Sequence, residues 1–377
     1  MNIQEARQFF PVVNGQIYLN HAACSPMSSR VQKALQDYLV DRGTGRIDDY
    51  KRNAAVASEL RSMIAEYIHA RSEQIALTSN TSHGLNIIAT GYPWERDDEI
   101  LIPAGEFPAN VYPFLNLEKL GVKVRRVPRH EGRITLTDFI ELVNDQTRMV
   151  SLSYVQYLNG FRADLQSIGK FCHENNIAFV VDGIQGLGAL PINVESAYID
   201  ALATGGQKWL MSPKGSGFLY VSERLFHKLD MNYLGWLSVK TPFDFQNYHQ
   251  ELNPSAQRFE LATPNHLGIY GMNAALRLIL EIGVNTIRDH LLEITGYLRE
   301  KLRSRGCEIV TDFRDGERAG IMSFSCGSPD HNEELFKALL GKGVTISYRD
   351  GILRVSPHFY NTIEDMDRFL NALTDVS

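Results

Sequence analysis

Short runs rich in β-forming residues alternate with helix-like stretches through the middle of this chain. The runs that predict strands lie at residues 74–78, 99–102, 122–127, 148–154, 177–182, 201–204 and 217–221. Helical patterns, for example at residues 81–90 and 164–175, lie between several of them. Strands that alternate with helices favour βαβ units and a mostly parallel sheet flanked by helices. We therefore expect an α/β fold.

The pattern changes after about residue 258. The predicted elements there are helices at 267–282 and 286–304, a strand at 321–325, a helix at 332–340, two strands that meet at Asp350-Gly351, and a helix capped by Asn361 or Thr362. The length of 377 residues corresponds to two or three domains of about 150 residues each. We expect a large domain at 16–258 and a smaller α+β domain that consists of residues 259–377 together with residues 1–15.

Composition narrows the possible functions. The 38 basic and 44 acidic residues give a net charge of -6, and no long basic run offers a surface for nucleic acid. No apolar run reaches the ~18 residues that span a bilayer, and the first ten residues lack the apolar core of a signal peptide. The four cysteines are scattered, which predicts reduced thiols rather than a disulfide framework. We expect a cytoplasmic protein that binds neither nucleic acid nor membranes.

Lys208 follows the predicted strand at 201–204 and lies between glycine-rich turns. Glycines allow a ligand to approach the backbone closely, and an amine at such a place can form a Schiff base with an aldehyde cofactor. Most lysines in loops are simply solvated, because a catalytic lysine needs surroundings that tune its pKa. Lys208 alone therefore leaves both interpretations open.

Two other segments place polar groups at the ends of predicted strands. Asp182 ends the apolar strand at 177–182, and open α/β sheets bind ligands at the carboxyl ends of their strands. A carboxylate there can keep a pyridinium nitrogen protonated, or it can form a turn with Gly183. Thr81 and Ser82 stand where a strand gives way to a helix, so they can bind phosphate or cap the helix.

In this order and spacing, Lys208, Asp182 and the Thr81-Ser82 turn resemble the fold-type I enzymes that use pyridoxal 5'-phosphate (PLP). More narrowly, the chain resembles the class V aminotransferases. This group includes cysteine desulfurases, cysteine/cystine lyases, kynureninases and isopenicillin-N-epimerase-like proteins. The resemblance covers nearly the whole chain and is most specific at residues 181–185, 206–209, 258–264 and 353–361.

The resemblance implies a role for each matching residue. Lys208 would hold the cofactor as an internal aldimine and act as the base at the substrate α-carbon, and Asp182 would pair with the pyridine nitrogen. Arg354 would bind the substrate α-carboxylate, with His21 as a second substrate-binding residue; a planar two-pronged donor suits that task. The other cofactor contacts would be Gln185 at the phenolic oxygen, Phe107 stacked on the ring, Thr81, Ser82 and Gln207 at the phosphate, and Thr263 at the phosphate from the second subunit of a homodimer.

Three positions depart from the pattern of the desulfurases. Phe107 stands where they carry a histidine, and a phenylalanine can stack on a ring but cannot exchange protons. Tyr157 stands where they tend to have asparagine. Residues 341–353 correspond to the loop that carries their nucleophilic cysteine, and this segment contains no cysteine.

The function implied by the resemblance is that of a PLP-dependent enzyme acting on an amino acid, most similar to a class V aminotransferase. A C–S lyase working by β-elimination and an amino-acid epimerase are the alternatives, because all three reactions use the same cofactor residues. A cysteine desulfurase ranks below them because the loop thiol is missing. A non-catalytic relative ranks last, since binding alone does not require Lys208, Asp182 and Arg354 together. We expect no metal site, because no His-x-x-x-His pair occurs.

Overall fold

The structure is a computed structural model that describes residues 1–375. The strands are β1 (Ile17–Tyr18), β2 (Ile75–Thr78), β3 (Glu99–Pro103), β4 (Lys123–Val127), β5 (Thr147–Ser153), β6 (Ala178–Asp182), β7 (Ala201–Gly205), β8 (Gly217–Val221), β9 (Glu308–Ile309), β10 (Met322–Ser325), β11 (Val344–Thr345), β12 (Ser347–Arg349) and β13 (Ile352–Val355). The α-helices are α1 (Ile3–Arg7), α2 (Ser29–Thr44), α3 (Tyr50–Ile68), α4 (Thr81–Gly91), α5 (Tyr112–Leu115), α6 (Leu136–Ile140), α7 (Leu165–Glu174), α8 (Glu223–Phe226), α9 (His266–Ile282), α10 (Val284–Ser304), α11 (Pro329–Gly341) and α12 (Ile363–Thr374).

Seven strands form the central sheet in the order β2-β8-β7-β6-β5-β3-β4. Strand β8 runs antiparallel to β2 and β7, and the other neighbouring pairs are parallel, so the expected α/β fold is confirmed. Every residue of β3, β6, β7 and β8 is buried, because the sheet is covered on both faces. The carboxyl ends of β2, β3, β5, β6 and β7 lie at the same edge of this sheet, where α/β proteins bind ligands.

A second, smaller sheet near the C-terminus is antiparallel and has the order β12-β13-β10-β9. The N-terminal segment crosses to this part of the chain: β1 pairs with β11, and Asn20 forms a bridge with Ser356. Residues 17–20, which the sequence placed in the large domain, therefore pair with strands of the small one. This pairing joins residues more than 300 positions apart, and no local pattern indicates it.

Helix α9 connects the two parts. It packs against α2 and α3, where the Tyr270 hydroxyl donates to Asn53 Oδ1 at 3.2 Å and the Asn273 amide donates to Glu59 at 3.0 Å. Within residues 1–375, no single helix is long and apolar enough to cross a membrane, and α9 with α10 meets that criterion only as a pair bent by 77°.

Cys307 and Cys326 form a disulfide, so the prediction that all four cysteines are reduced thiols is wrong for this pair. The register of the small sheet explains the bond. Glu308 lies opposite Ser325, which brings Cys307 opposite Cys326 with their Cα atoms 4.3 Å apart. Strand β9 has only two residues, and so short a strand gives no periodic signal in the sequence. Cys24 and Cys172 are free thiols.

We predict that Gly188→Ala lowers the free energy of unfolding by at least about 2 kcal/mol, measured by urea denaturation. Gly188 has a φ of +98°, and a Cβ there would lie 2.2 Å from the carbonyl oxygen of Trp209, the residue that follows Lys208. Gly43→Ala is the matched control, because its Cβ would meet nothing within 4 Å in the exposed helix α2. Equal stability of the two variants would show that the close approach at Gly188 is not a constraint.

Candidate active site

Asp182 is the last residue of β6 and is 1% exposed. Its Oδ1 accepts a hydrogen bond of 2.9 Å from the backbone N–H of Ile184, and its Oδ2 has no partner among residues 1–375. Burial raises the pKa of this carboxyl well above its usual range, and the nearby Glu106 carboxylate raises it further. Asp182 is therefore a buried acceptor with one free oxygen that a cationic group can satisfy.

Lys208 lies three residues beyond the end of β7, on the loop at the carboxyl edge of the sheet. Burial lowers the pKa of its ammonium below the usual value for lysine. The Asp182 carboxylate opposes that shift, whereas the Arg354 and Arg349 guanidinium groups add to it. A lysine with a lowered pKa carries a larger neutral fraction near pH 7, which is the form that acts as nucleophile or base.

The beginning of α4 forms one end of the site. Asn80 caps this helix by accepting a hydrogen bond of 2.9 Å from the N–H of His83, so neither Thr81 nor Ser82 has to cap it. The buried Thr81 hydroxyl has no partner among the described residues, and Ser82 is exposed. Free hydroxyls and backbone N–H groups at a helix N-terminus are suited to bind a phosphate group.

Gln207 adds a side-chain amide beside Lys208. Its Oε1 is buried and has no hydrogen-bond partner in the described part of the chain. Its backbone carbonyl accepts a hydrogen bond of 2.9 Å from the N–H of Ser25. Rotating the amide by half a turn presents its NH2 group to a ligand instead.

Arg354 lies in β13 and is 1% exposed. Its Nη1 donates to the carbonyl oxygen of Tyr157 at 2.5 Å, and its Nη2 donates to Ser347 Oγ at 3.3 Å. The Nε has no partner within residues 1–375. One edge of the guanidinium, formed by Nε and the second N–H of Nη2, therefore remains available for a two-pronged bond to a carboxylate. Burial, together with the nearby Arg349 guanidinium, lowers the pKa of Arg354 to about 9.

Phe107 provides an aromatic face next to the lysine. The Lys208 Nζ lies 5.5 Å from the centre of its ring. The ring also meets that of Tyr157 edge to face, with 5.3 Å between the ring centres. Phe107 is 38% exposed, so a planar ligand can reach it from the solvent side. Stacking of Phe107 on the cofactor ring remains a prediction that this geometry supports.

Gln185 and His21 are fully buried and already bonded within the protein. The Gln185 amide donates to the Ala22 carbonyl at 3.0 Å and accepts from the Trp209 indole at 2.8 Å, which leaves one amide N–H for a ligand. His21 bonds through Nδ1 to the Ser356 carbonyl and through Nε2 to the Tyr360 hydroxyl, each at 2.8 Å. Because no ring nitrogen is left free, the structure favours a supporting role for His21 over the expected direct contact with substrate.

Thr263 is exposed and follows the ion pair between Glu260 and Arg61. It lines a cavity of about 230 Å³ that Thr78 and His83 also line. Contact of Thr263 with the phosphate site of a second chain remains a prediction, because the structure describes one chain.

Glu106 and Arg129 belong to the site although the sequence gave no reason to select them. They form a buried ion pair at 3.2 Å, and Glu106 also accepts a hydrogen bond of 3.1 Å from the N–H of Ser153, the residue opposite Asp182 in the sheet. The Glu106 carboxylate therefore lies near Asp182 and raises the pKa of its carboxyl. The loop after β3 carries Glu106, and only the strand order reveals that this loop adjoins β5 and β6.

The unpartnered polar atoms of the site fit PLP. A protonated pyridine nitrogen would satisfy Asp182 Oδ2, the Thr81 hydroxyl and the start of α4 suit its phosphate, and Lys208 supplies the amine for its aldehyde. Buried polar atoms without partners are rare in proteins, because each costs about 1–3 kcal/mol of desolvation. Their concentration at this sheet edge therefore points to a ligand with matching groups.

The chain belongs to the class V aminotransferases, the family whose model matches residues 17–369. The protein is thus a PLP enzyme of fold type I, and PLP is the cofactor of its family, as the sequence predicts. The family includes several reactions, so this membership identifies the cofactor chemistry and not the substrate.

Among curated relatives, a probable cysteine desulfurase of Methanothermobacter thermautotrophicus is 27% identical, over 100% of this chain and 98% of the relative. Among solved structures, the apo cysteine desulfurase of Thermococcus onnurineus NA1 has a TM-score of 0.89 and 25% identity, with 98% and 97% of the two chains covered. A mutant of C-DES with glycine covalently linked to its PLP cofactor has a TM-score of 0.90 and 22% identity, with 98% and 99% covered. The C-DES likeness shows the fold alone.

We predict that an amine-acylating reagent modifies Lys208 of the cofactor-free protein with a half-maximal pH at least about one unit below that of an exposed lysine. Burial lowers the pKa of Lys208, so its neutral, reactive form becomes populated at a lower pH than that of an exposed lysine. Peptide mass spectrometry across a pH series provides the measurement, with the exposed Lys214 as internal reference.

Because the half-maximal pH does not depend on how easily the reagent reaches the amine, slow labelling of a buried group does not affect the result. Asp182→Asn should move the half-maximal pH of Lys208 lower still, since the carboxylate raises the pKa of the lysine. Identical profiles for Lys208 and Lys214 would contradict the prediction.

Proposed function

We propose that the protein is a PLP-dependent lyase that cleaves the C–S bond of a cysteine-type amino acid by β-elimination. The names of the relatives favour this alternative over the aminotransferase that ranked first on sequence. Relatives at 25–27% identity are named as cysteine desulfurases, whose substrate carries the same C–S bond. Lys208, Asp182 and Arg354, which the elimination shares with transamination and epimerisation, meet in one place.

The observation that carries the proposal is the tight hairpin between β12 and β13. Strand β12 ends at Arg349 and β13 begins at Ile352, so only Asp350 and Gly351 connect them. Both connecting residues have positive φ, as in a type I′ turn. A two-residue turn has no room for a mobile loop that carries a thiol, whereas a desulfurase that stores sulfur on such a loop needs one.

The remaining cysteines are poorly placed to replace that thiol. Cys326 is bonded to Cys307. Cys172 is buried, and burial raises the pKa of its thiol far above the usual range, which disfavours the nucleophilic thiolate. Only Cys24 is free and partly exposed.

PLP, when bound, withdraws electrons from the substrate α-carbon. Arg354 would orient the substrate through its α-carboxylate, using the free edge of the guanidinium. Lys208 would take the α-proton on its neutral Nζ, which the lowered pKa provides near pH 7. Phe107 lies beside that nitrogen and keeps bulk water from one side of it.

The bonds of the elimination balance without a further reactant except water. The electron pair of the broken Cα–H bond forms the second bond between Cα and Cβ. The sulfur leaves Cβ with the electron pair of the C–S bond. The proton held by Lys208 can return to the departing thiolate. Addition of water then converts the remaining fragment to pyruvate and ammonia.

A homodimer is part of the proposal. Tyr50, Trp236, Phe243 and Phe245 form an exposed aromatic cluster, with 4.8 Å between the ring centres of Tyr50 and Phe243 and 5.7 Å between those of Trp236 and Phe243. Contiguous exposed apolar surface of this kind is typical of protein interfaces. A second copy that covers this cluster would give Thr263 a route to the phosphate site of its partner.

We predict that the holoenzyme converts L-cysteine to pyruvate, ammonia and sulfide in equal amounts, with no alanine. Lys208→Ala should abolish the conversion while the protein stays folded by circular dichroism. The products are measured by amino-acid analysis, a keto-acid assay and a sulfide assay. Formation of 3-mercaptopyruvate that depends on an added keto acid, with conversion of that keto acid to its amino acid, would show transamination and contradict the proposal.

A persulfide-forming desulfurase is the second candidate, because the relatives bear that name and because Cys24 lies near Lys208. The segment of Cys24 is fixed to the lysine loop, since the Ser25 hydroxyl donates to the Lys208 carbonyl at 2.5 Å. In this case L-cysteine would yield alanine, mass spectrometry would find a persulfide on Cys24, and Cys24→Ser would stop alanine formation. Cys24→Ser should leave β-elimination intact.

We predict that mixing Lys208→Ala chains with Thr263→Ala chains restores tight PLP binding, measured by dialysis against a dilution series of PLP. In a mixed dimer, the intact Lys208 would receive the intact Thr263 of the other chain. The control mixes Thr263→Ala with a chain carrying both substitutions, which supplies no Thr263 and should restore nothing. Full PLP affinity in Thr263→Ala alone would contradict the shared site.

A further inference from the structure

Arg349 is an exposed arginine on the same face of the small sheet as Arg354. In the β12–β13 pair, Ser347 lies opposite Arg354 and Arg349 lies opposite Ile352. Residues two apart on a strand point to the same face, and so do residues directly opposite each other. The bond between Arg354 Nη2 and Ser347 Oγ shows that this face is the one that meets the site.

The hairpin holds the two arginines in a fixed relation. Asp350 has a φ of 49° and Gly351 a φ of +83°, as a two-residue hairpin turn requires. Such a turn fixes the register between β12 and β13. Strand β13 is an interior strand of the sheet, bonded to β12 on one side and to β10 on the other. Arg349 and Arg354 are thus diagonal neighbours on one face of the hairpin, and a single ligand can contact both guanidinium groups.

The Arg349 side chain has no hydrogen bond or ion pair to any of residues 1–375, in contrast to most arginine side chains of the chain. Its charge nevertheless acts on the site, since it lowers the pKa of both Lys208 and Arg354. The groups whose charges act on Arg354 are Arg349 and Tyr157, neither of which is a carboxylate. Asp182 acts on Lys208, and Asp350 follows Arg349 in the exposed turn. The free Oδ2 of Asp182 would be paired with the cofactor nitrogen.

The hairpin thus presents two guanidinium groups on one face, and one α-carboxylate pairs with only one of them. Arg354 can hold that carboxylate alone, because its Nε and one Nη2 proton form a complete two-pronged edge. This leaves the Arg349 guanidinium for a different group of the substrate.

We infer that Arg349 binds a second anionic group at the side-chain end of the substrate, so that the enzyme selects amino acids whose side chain ends in a carboxylate. The inference rests on the proposed function only for the assignment of Arg354 to the α-carboxylate. Arg349 is then a specificity-determining residue: it discriminates among substrates that Lys208 and Arg354 alone accept equally.

The test uses two pairs of probes that have the same shape and differ in terminal charge. S-carboxymethyl-L-cysteine and its amide, S-carbamoylmethyl-L-cysteine, contain the C–S bond, and L-glutamate and L-glutamine do not. The Kd of each probe for the holoenzyme is measured from the change in visible absorbance. A charge-assisted hydrogen bond predicts that the acid of each pair binds about tenfold to a hundredfold more tightly than the amide.

In Arg349→Gln the acid-to-amide ratio of Kd values should fall close to one, and in Arg349→Lys it should keep part of its size. Arg305→Gln, an exposed arginine at the end of α10, is the control and should keep the full ratio. A wild-type ratio near one, or an Arg349→Gln variant that keeps the wild-type ratio, would overturn the inference.

The glutamate and glutamine arms separate this inference from the proposed function. They report the binding of the second anion even if no C–S bond is cleaved, so a failed lyase reaction with an intact Kd ratio would refute only the proposed function. Conversely, cleavage of both cysteine derivatives with equal KM would support the lyase and refute the role of Arg349.

Discussion

The burial of Asp182 and Lys208 at one edge of the central sheet is the constraint on which the rest of the site depends. Each group is taken out of water without a complete set of partners. As a result the pKa of Asp182 rises and the pKa of Lys208 falls, and both shifts favour the neutral form of the group. Such burial is unfavourable unless something else compensates, and here the compensating partner is a cofactor that brings a cation for the acid and an aldehyde for the amine. The parallel strands β6 and β7 make the arrangement possible, because they deliver both residues to the same edge.

Arg354 extends this arrangement to the second sheet. It belongs to the small antiparallel sheet, but it donates to the carbonyl of Tyr157 in the loop that follows β5. The substrate site is thus formed between two parts of the fold that have separate strand networks. A group bound by Arg354 contacts both, so the relative position of the two sheets determines how a substrate meets Lys208.

The sequence predicted the elements that follow a local pattern. The expected positions are correct to within a few residues for strands β2 to β8 and for helices α4, α7, α9 and α10. Apolar runs and capping residues in the sequence indicate where these elements begin and end. Asp182 and Lys208 could be selected for the same reason, since each follows a clear strand.

What the sequence did not show depends on contacts between distant segments. The pairing of β1 with β11, the Cys307–Cys326 bond and the approach of Glu106 to Asp182 are set by strand order and register. The hydrogen bonds that occupy both nitrogens of His21 likewise come from Ser356 and Tyr360, more than 300 residues away. At the start of α4, Asn80 rather than Thr81 or Ser82 caps the helix, because its side-chain Oδ1 accepts from the N–H of His83. This choice frees the two hydroxyls beside it.

The bridge between Asn20 and Ser356 also affects the order in which the protein can be built. During synthesis, β1 emerges from the ribosome first, but its partner β11 and the residue that bridges Asn20 are among the last to appear. The segment at 17–25, which includes the Ser25 contact to the lysine loop, must therefore wait without its partners while the large sheet forms. The active site is completed at the end of translation, so a chain shortened near its C-terminus would lose the support of its N-terminal strand as well.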